Sequence, residues 1–130
     1  MIGCIGVARA EGEMSTVMPS YPTGGNKDLT DAAVGSTVFL PVQVPGALLY
    51  VGDVHAVMSQ GESSFEAIEA AGQATVSVDL VKAADVVVPL TAPRVGTGDE
   101  LVSVGPSDQR PERSCPPRGS RPSTGRWTAR

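Results

Sequence analysis

Residues 35–56 read GSTVFLPVQVPGALLYVGDVHA. Two short apolar runs, 36–44 and 47–51, flank Pro45-Gly46, and a polar block with the only histidine follows. Pro then Gly is a strong turn signal, because Pro fixes φ for the second turn position and Gly tolerates positive φ at the third. Pro41 lacks an N–H and belongs at a strand edge or bulge. The stretch therefore predicts a hairpin that delivers Asp53 and His55 to its end. At spacing two these side chains share a face if the strand continues through them.

Working outward, 1–8 (MIGCIGVA) reads as a short buried strand. Residues 11–30 read as a loop rich in Gly, Pro, Ser and Thr, in which Gly24-Gly25 permits positive φ and close backbone approach. Asn26 and Asp28 follow at once, which makes this loop a second candidate site. Residues 63–71 fit either a turn or two of helix or an extended segment, since Phe65, Ile68, Glu66 and Glu69 have helical spacing. In 75–81, Val76, Val78 and Leu80 alternate with Thr75, Ser77 and Asp79, the period of a strand with one wet face. Residues 85–90 read as another short apolar strand, bounded by Pro89 and Pro93.

The chain has 130 residues, room for at most one ordinary domain, with 15 Gly and 11 Pro that favour a turn-rich β protein over a helical bundle. The expected fold is mainly β, sandwich- or barrel-like with minor α+β elements, over 1–105. Residues 1–105 carry four basic and twelve acidic groups, an acidic body suited to neutral or cationic ligands rather than nucleic acid or an anionic membrane. Residues 106–130 carry six Arg, five Pro and almost no aliphatic side chains. Such a segment cannot bury enough surface to offset its ordering entropy, and it reads as a disordered tail. Its Pro-Arg-Ser-Gly composition is also what a GC-rich gene yields out of frame. Cys4 and Cys115 form no metal spacing or disulfide framework. Residues 1–8 lack a basic leader region, no segment is long enough to span a bilayer, and a cytoplasmic protein is expected.

Asp-x-His followed by Glu62 offers carboxylate oxygens and an imidazole, ordinary ligands for a divalent metal. A metal-bound water ionises readily, and a free carboxylate can serve as general base. The same pattern also fits a structural hydrogen-bonded pair, and Glu62, Glu66 and Glu69 also fit a solvated face. No Gly-x-Ser-x-Gly nucleophile elbow is present. Cys4 in an apolar strand reads as an inert thiol, and Gly24-Gly25-Asn26 lacks the spacing of a phosphate loop.

Several blocks, in order, resemble the acetamidase/formamidase family of amide hydrolases. MIGCIGVARAEGE is similar to its MIGVIGVAPA-type strand and turn, GGNKD at 24–28 to its Gly-Gly-Asn-Met-Asp block, and 35–56 to its GSTLYLPV-VPGALF-GDxHA run. Met58, Gly61 and Glu62 keep the register of its AAMGDGE segment. The resemblance covers about residues 1–105. It implies hydrolysis of a short linear amide, such as formamide or acetamide, to a carboxylate and ammonia, in an oligomer. It places Asp53, His55 and Glu62 as catalytic and metal-binding residues, and Asn26 and Asp28 at the substrate. A divalent ion, zinc or calcium, and no organic cofactor are implied. The departures are Thr23 for a histidine, Lys27 for the methionine, Ser59-Gln60 for Gly-Asp, and Ser63-Ser64-Phe65 for small residues. Family members are longer, so the chain resembles a central-to-late fragment. The second reading is a non-catalytic β remnant that keeps the elements and has lost the site.

Overall fold

The computed structural model describes residues 1–17, 20–62, 64–98 and 100–104, and the backbone of 126–128. The described chain is nearly all β, in two antiparallel sheets, with one 3-10 turn at Ala83–Asp85. The first sheet has the order β2 (Ser20–Tyr21), β3 (Gly24–Asn26), β1 (Ile2–Gly6), β5 (Tyr50–Val57), β6 (Ile68–Glu69), and the second β4 (Thr37–Phe39), β7 (Arg94–Thr97), β8 (Glu100–Ser103), β9 (Arg126–Thr128). No helix of the described residues is long and apolar enough to cross a membrane.

Strand β1 (Ile2–Gly6) forms as expected and lies at the centre of the first sheet, between β3 (Gly24–Asn26) and β5 (Tyr50–Val57). The predicted 11–30 loop holds β2 (Ser20–Tyr21) and β3, a tight hairpin. Its glycines are needed there. Gly24 has φ +111° and lies directly opposite Gly6, where even a Cβ would come within 2.4 Å of the Gly6 Cα. Local sequence marks the turn residues but not the pairing, which needs β1 as a template.

The 36–51 hairpin does not form. The turn is present, with Ala47 N donating to Val44 O at 3.1 Å and Gly46 at φ +82°. Its arms part into different sheets: β4 (Thr37–Phe39) pairs with β7 (Arg94–Thr97), and β5 pairs with β1. Distant partners take both arms, since strand pairing follows the available edges and faces more than local preference. Residues 63–71 resolve in favour of the extended form at β6 (Ile68–Glu69), which pairs with the end of β5. The strands expected at 75–81 and 85–90 are absent: 70–89 are exposed, and outside the 3-10 turn they have no regular structure. Period-two alternation supplies a strand's faces but not its hydrogen-bonding neighbour, and among the described residues none is present.

The second sheet carries the apolar core. Leu29 and Ala32, from the segment after β3, pack with Val95 of β7, Val102 of β8 (Glu100–Ser103) and Val104, with Val38 against them. Strand β9 (Arg126–Thr128) pairs with β8. The disordered tail expected over 106–130 otherwise lies outside the described residues.

Lys27, standing where the family pattern has methionine, is buried on the β2–β3 hairpin. Its Nζ donates to Ser20 Oγ and, at 3.1 Å, to Tyr21 O. Burial lowers its pKa to about 8. Between pH 8 and 10.5 the unfolded lysine keeps a proton that the folded one has lost, so this site adds stability as pH rises through that window. Lys27→Met is expected to stabilise the fold at pH 7 by about 1–2 kcal/mol, the relieved charge burial less two lost hydrogen bonds. Urea unfolding at pH 7 and pH 10 checks this: the gain should shrink at the higher pH.

Candidate active site

Strand β5 carries Asp53 and His55, and their side chains meet as the spacing predicts. His55 Nε2 lies 2.8 Å from Asp53 Oδ1. The ring is 2% exposed, and its other nitrogen faces Glu62 Oε1 at 3.2 Å and Met58 Sδ at 3.1 Å. Glu69 Oε1 approaches Nε2 at 3.3 Å from β6, whose register places Glu69 opposite His55. Burial works against the imidazolium. The Asp53 hydrogen bond and the charges of Asp53, Glu62 and Glu69 outweigh it and hold the imidazole above its ordinary 6.5. Carboxylates face both ring nitrogens, an arrangement satisfied when both carry protons.

Asp28 enters from the other side. It follows β3 directly, and its N–H donates to Gly3 O at 3.2 Å. The glycine at position 3 is what lets two carboxylates converge on β1. A Cβ there would come within 2.5 Å of Asp53 Oδ2 and 2.7 Å of Asp28 Oδ1. One ligand atom each from Asp28, Asp53 and His55 lies within 4.8 Å of the others. Asp28 Oδ1 and Glu62 Oε1 are both buried without a hydrogen-bond partner. Burial, then the charges of Glu62 and Asp53, push the Asp28 carboxyl up to about 6, against the lowering effect of His55.

The backbone is strained at the same place. Asp28, Asp53 and Glu62 all sit at positive φ, at 44°, 62° and 39°. Asp tolerates this region better than most residues, and Glu does not. Such strain costs on the order of 1 kcal/mol or more per residue.

Of the residues singled out by sequence, Asp28, Asp53 and His55 come together. Glu62 joins through the Nδ1 side of the ring. Asn26 stands one step away, its Oδ1 3.4 Å from the Cys4 sulfur, which is itself 3.4 Å from Asp53 Oδ2. Burial, the Asp53 hydrogen bond and the Asp53 charge push the Cys4 thiol up to about 12, which agrees with an inert thiol. Cys115 lies outside the described residues. Glu69 and Cys4 are missed by sequence reasoning, because each reaches the site through strand register. Gln60, standing where the family pattern has Asp, is a clamp. Its Oε1 accepts from Thr30 N and Oγ1, both at 2.7 Å, and its Nε2 donates to Asp31 Oδ2 at 2.7 Å. With Gly61 N donating to Asp28 O at 2.7 Å, this fastens the Glu62 loop onto the Asp28 loop. Thr23, at the family's histidine position, is fully buried, and its hydroxyl has no hydrogen-bond partner.

The sequence model of the acetamidase/formamidase family matches residues 5–109. An acetamidase of Mycolicibacterium smegmatis is 42% identical over 66 residues, 50% of this chain and 16% of that protein. A formamidase of Methylophilus methylotrophus is 37% identical over 75 residues, 57% of this chain and 18% of that protein. A crystal structure described as a predicted acetamidase/formamidase from the thermophile Thermoanaerobacter tengcongensis superposes with a TM-score of 0.71 at 40% identity. It covers 79% of this chain and 33% of its own. The chain thus spans less than a fifth of the length of these curated relatives and a third of the solved one.

Proposed function

Since the chain belongs to the acetamidase/formamidase family, we propose that it carries the acid–base and metal-binding segment of a linear-amide hydrolase, acting on carbon–nitrogen bonds of the formamide or acetamide type. The observation that carries this reading is the convergence of Asp28, Asp53 and His55 beside Gly3, with Asp28 Oδ1 buried and unpartnered. Two carboxylates and an imidazole are a donor set that fits Zn²⁺, and their oxygens also suit Ca²⁺. A buried carboxylate oxygen without a hydrogen-bond partner beside a second carboxylate would be stabilised by a nearby cation.

Asp28 and Asp53 would hold the ion, with His55 Nε2 completing the set once deprotonated. A bound divalent ion supplies charge that polarises the amide carbonyl and makes water acidic enough to attack near neutral pH. Glu62, whose Oε1 is buried and ion-paired with His55 Nδ1, accepts the proton of the attacking water. The same carboxylate returns that proton to the departing nitrogen, so that ammonia rather than an amide anion leaves, while His55 Nδ1, 3.2 Å away, orients it. Asn26 orients the substrate amide by hydrogen bonding.

The test is ammonia release from formamide and acetamide by the purified chain, with Zn²⁺, with Ca²⁺ and with chelator. Release above a His55→Ala control in the metal-supplemented samples is expected. None above that control would overturn the reading and favour the remnant domain.

Metal binding has its own test in Asp28. With chelator present, the raised pKa means that the folded chain holds the Asp28 proton more tightly than the unfolded one. Stability is then lost as pH rises from about 4 to about 6. Asp28→Asn should remove that slope and stabilise the metal-free chain at pH 7 by about 1–2 kcal/mol. The same variant should abolish the melting-temperature rise given by Zn²⁺, worth about 2.7 kcal/mol in the parent at a hundredfold excess over Kd. Equal Zn²⁺ stabilisation in both proteins would remove Asp28 from the ligand set.

A further inference from the structure

Gln60 is a departure from the family pattern, which has Asp there, and a departure beside Glu62 would ordinarily count against a working site. Its surroundings point the other way. Ser59, Gln60 and Gly61 are exposed, yet both ends of the Gln60 amide are engaged. Oε1 accepts from Thr30 N and from Thr30 Oγ1, and Nε2 donates to Asp31 Oδ2, all at 2.7 Å.

The anchor that Gln60 grips is rigid. Thr30 and Asp31 lie between Leu29 and Ala32, which are buried in the apolar core, and Ala32 N donates to Leu29 O at 3.0 Å across them. Thr30 stands two residues after Asp28, and Gln60 two residues before Glu62. Between these positions Gly61 N donates to Asp28 O at 2.7 Å. The link therefore closes next to two carboxylates that repel each other, since Glu62 is the charge that acts most strongly on Asp28. Without a tie, like charges in a half-buried setting favour separation of the loops that carry them.

An aspartate at position 60 could not make this link. Its side chain is one methylene shorter, an ionised carboxylate has no donor, and it would set a second negative charge against Asp31. Glutamine supplies the acceptor for Thr30 and the donor for Asp31 at once. We propose that Gln60 is a positioning residue: through Thr30 and Asp31 it ties the Glu62 loop to the apolar core and holds Glu62 beside the Asp28, Asp53 and His55 set. The departure then preserves the cation site instead of abolishing it. The inference rests on the reading of Asp28 as a metal ligand, and it adds the outer residues that fix where the carboxylates stand.

The test uses Gln60→Glu, which keeps the side-chain length but loses the donor and faces Asp31 with a like charge. Its partner is the double variant Gln60→Glu/Asp31→Asn, which returns a donor to the same contact from the other side. Zn²⁺ affinity is measured by competition with a chromogenic chelator, and exchange of the Gly61 amide is followed by NMR in the metal-free chain. Gln60→Glu is expected to weaken Zn²⁺ binding about tenfold and to speed Gly61 exchange about tenfold. The double variant should bring both to within about threefold of the parent. An added negative charge by itself favours a cation, so a fall in affinity cannot be a charge effect. Parent-like Gly61 exchange in Gln60→Glu, unchanged or tighter Zn²⁺ binding by it, or no recovery in the double variant would each overturn the proposal. A parent that binds no Zn²⁺ would overturn the metal-site reading instead, and the Gly61 exchange of the two variants would then decide the positioning of the Glu62 loop alone.

Discussion

Replacing His55 by alanine is expected to cost about 3 kcal/mol of folding stability near pH 6 and to bring ammonia release down to background. His55 is 2% exposed, and among the described residues it is the positive partner that Asp53 and Glu62 share. Removing one member of a buried ion pair leaves an uncompensated charge and costs roughly 3–5 kcal/mol. Here the lower end applies, because Asp53 keeps 29% of its side chain in solvent. Glu69, 69% exposed on the same ring, contributes little, and Glu69→Gln should shift stability by less than about 0.5 kcal/mol. The pH dependence separates this account from simple cavity formation. The folded pKa of His55 is raised above 6.5, so its contribution is fully present below 6.5 and is lost as pH rises through the folded value. The stability gap between parent and His55→Ala, measured by urea unfolding with chelator, should therefore be widest below pH 6.5 and narrow as pH rises through the folded value. A gap that does not vary with pH would mean that packing alone holds the ring.

The same cluster shows which parts of the site were legible. Asp53 and His55 could be paired from spacing because both lie on one strand, where side-chain direction follows from residue number. The Gly-Gly-Asn-Lys-Asp loop could be marked as a site from its glycines and its carboxylate. Glu69 and Cys4 could not be found this way. Glu69 meets His55 only because β6 pairs with β5, and Cys4 meets Asp53 only because β1 lies between β3 and β5. The fold class followed from composition and turn signals, but the connections did not. At 36–51 a correct turn was extended into a hairpin, when long-range partners claimed both arms. At 75–81 the alternation is that of a strand, and the neighbour that would make it one is missing from the described chain. In each case the sequence encodes a local preference, and the outcome depends on which edge is available to receive it.

Gly24→Ala is expected to unfold the chain or leave it with little residual stability, a loss of about 4 kcal/mol. Two separate costs combine. The backbone at φ +111° is one that an L side chain rarely adopts, which costs about 1–3 kcal/mol. The added Cβ would also stand 2.4 Å from Gly6 Cα and 2.5 Å from Ile5 O, so the backbone of β1 must move, with a comparable overpacking cost. The total approaches the whole stability of a small domain, about 5–15 kcal/mol. The displacement would not stay local. Gly24 stands opposite Gly6 on β1, and β1 is the strand on which Asp28 and Asp53 converge. Pushing β3 away from β1 would carry Asp28, two residues beyond its end, out of reach of Asp53. Gly52→Ala is the matched control. Gly52 is on β5 next to Asp53, yet its Cβ would meet nothing within 4 Å, and the change should stay within about 0.5 kcal/mol. Circular dichroism melts of both variants, together with Zn²⁺ binding, test the argument. Near-parent behaviour of Gly24→Ala would show that β3 can slide on β1 without loss, and the close glycine contact would then not be what positions Asp28.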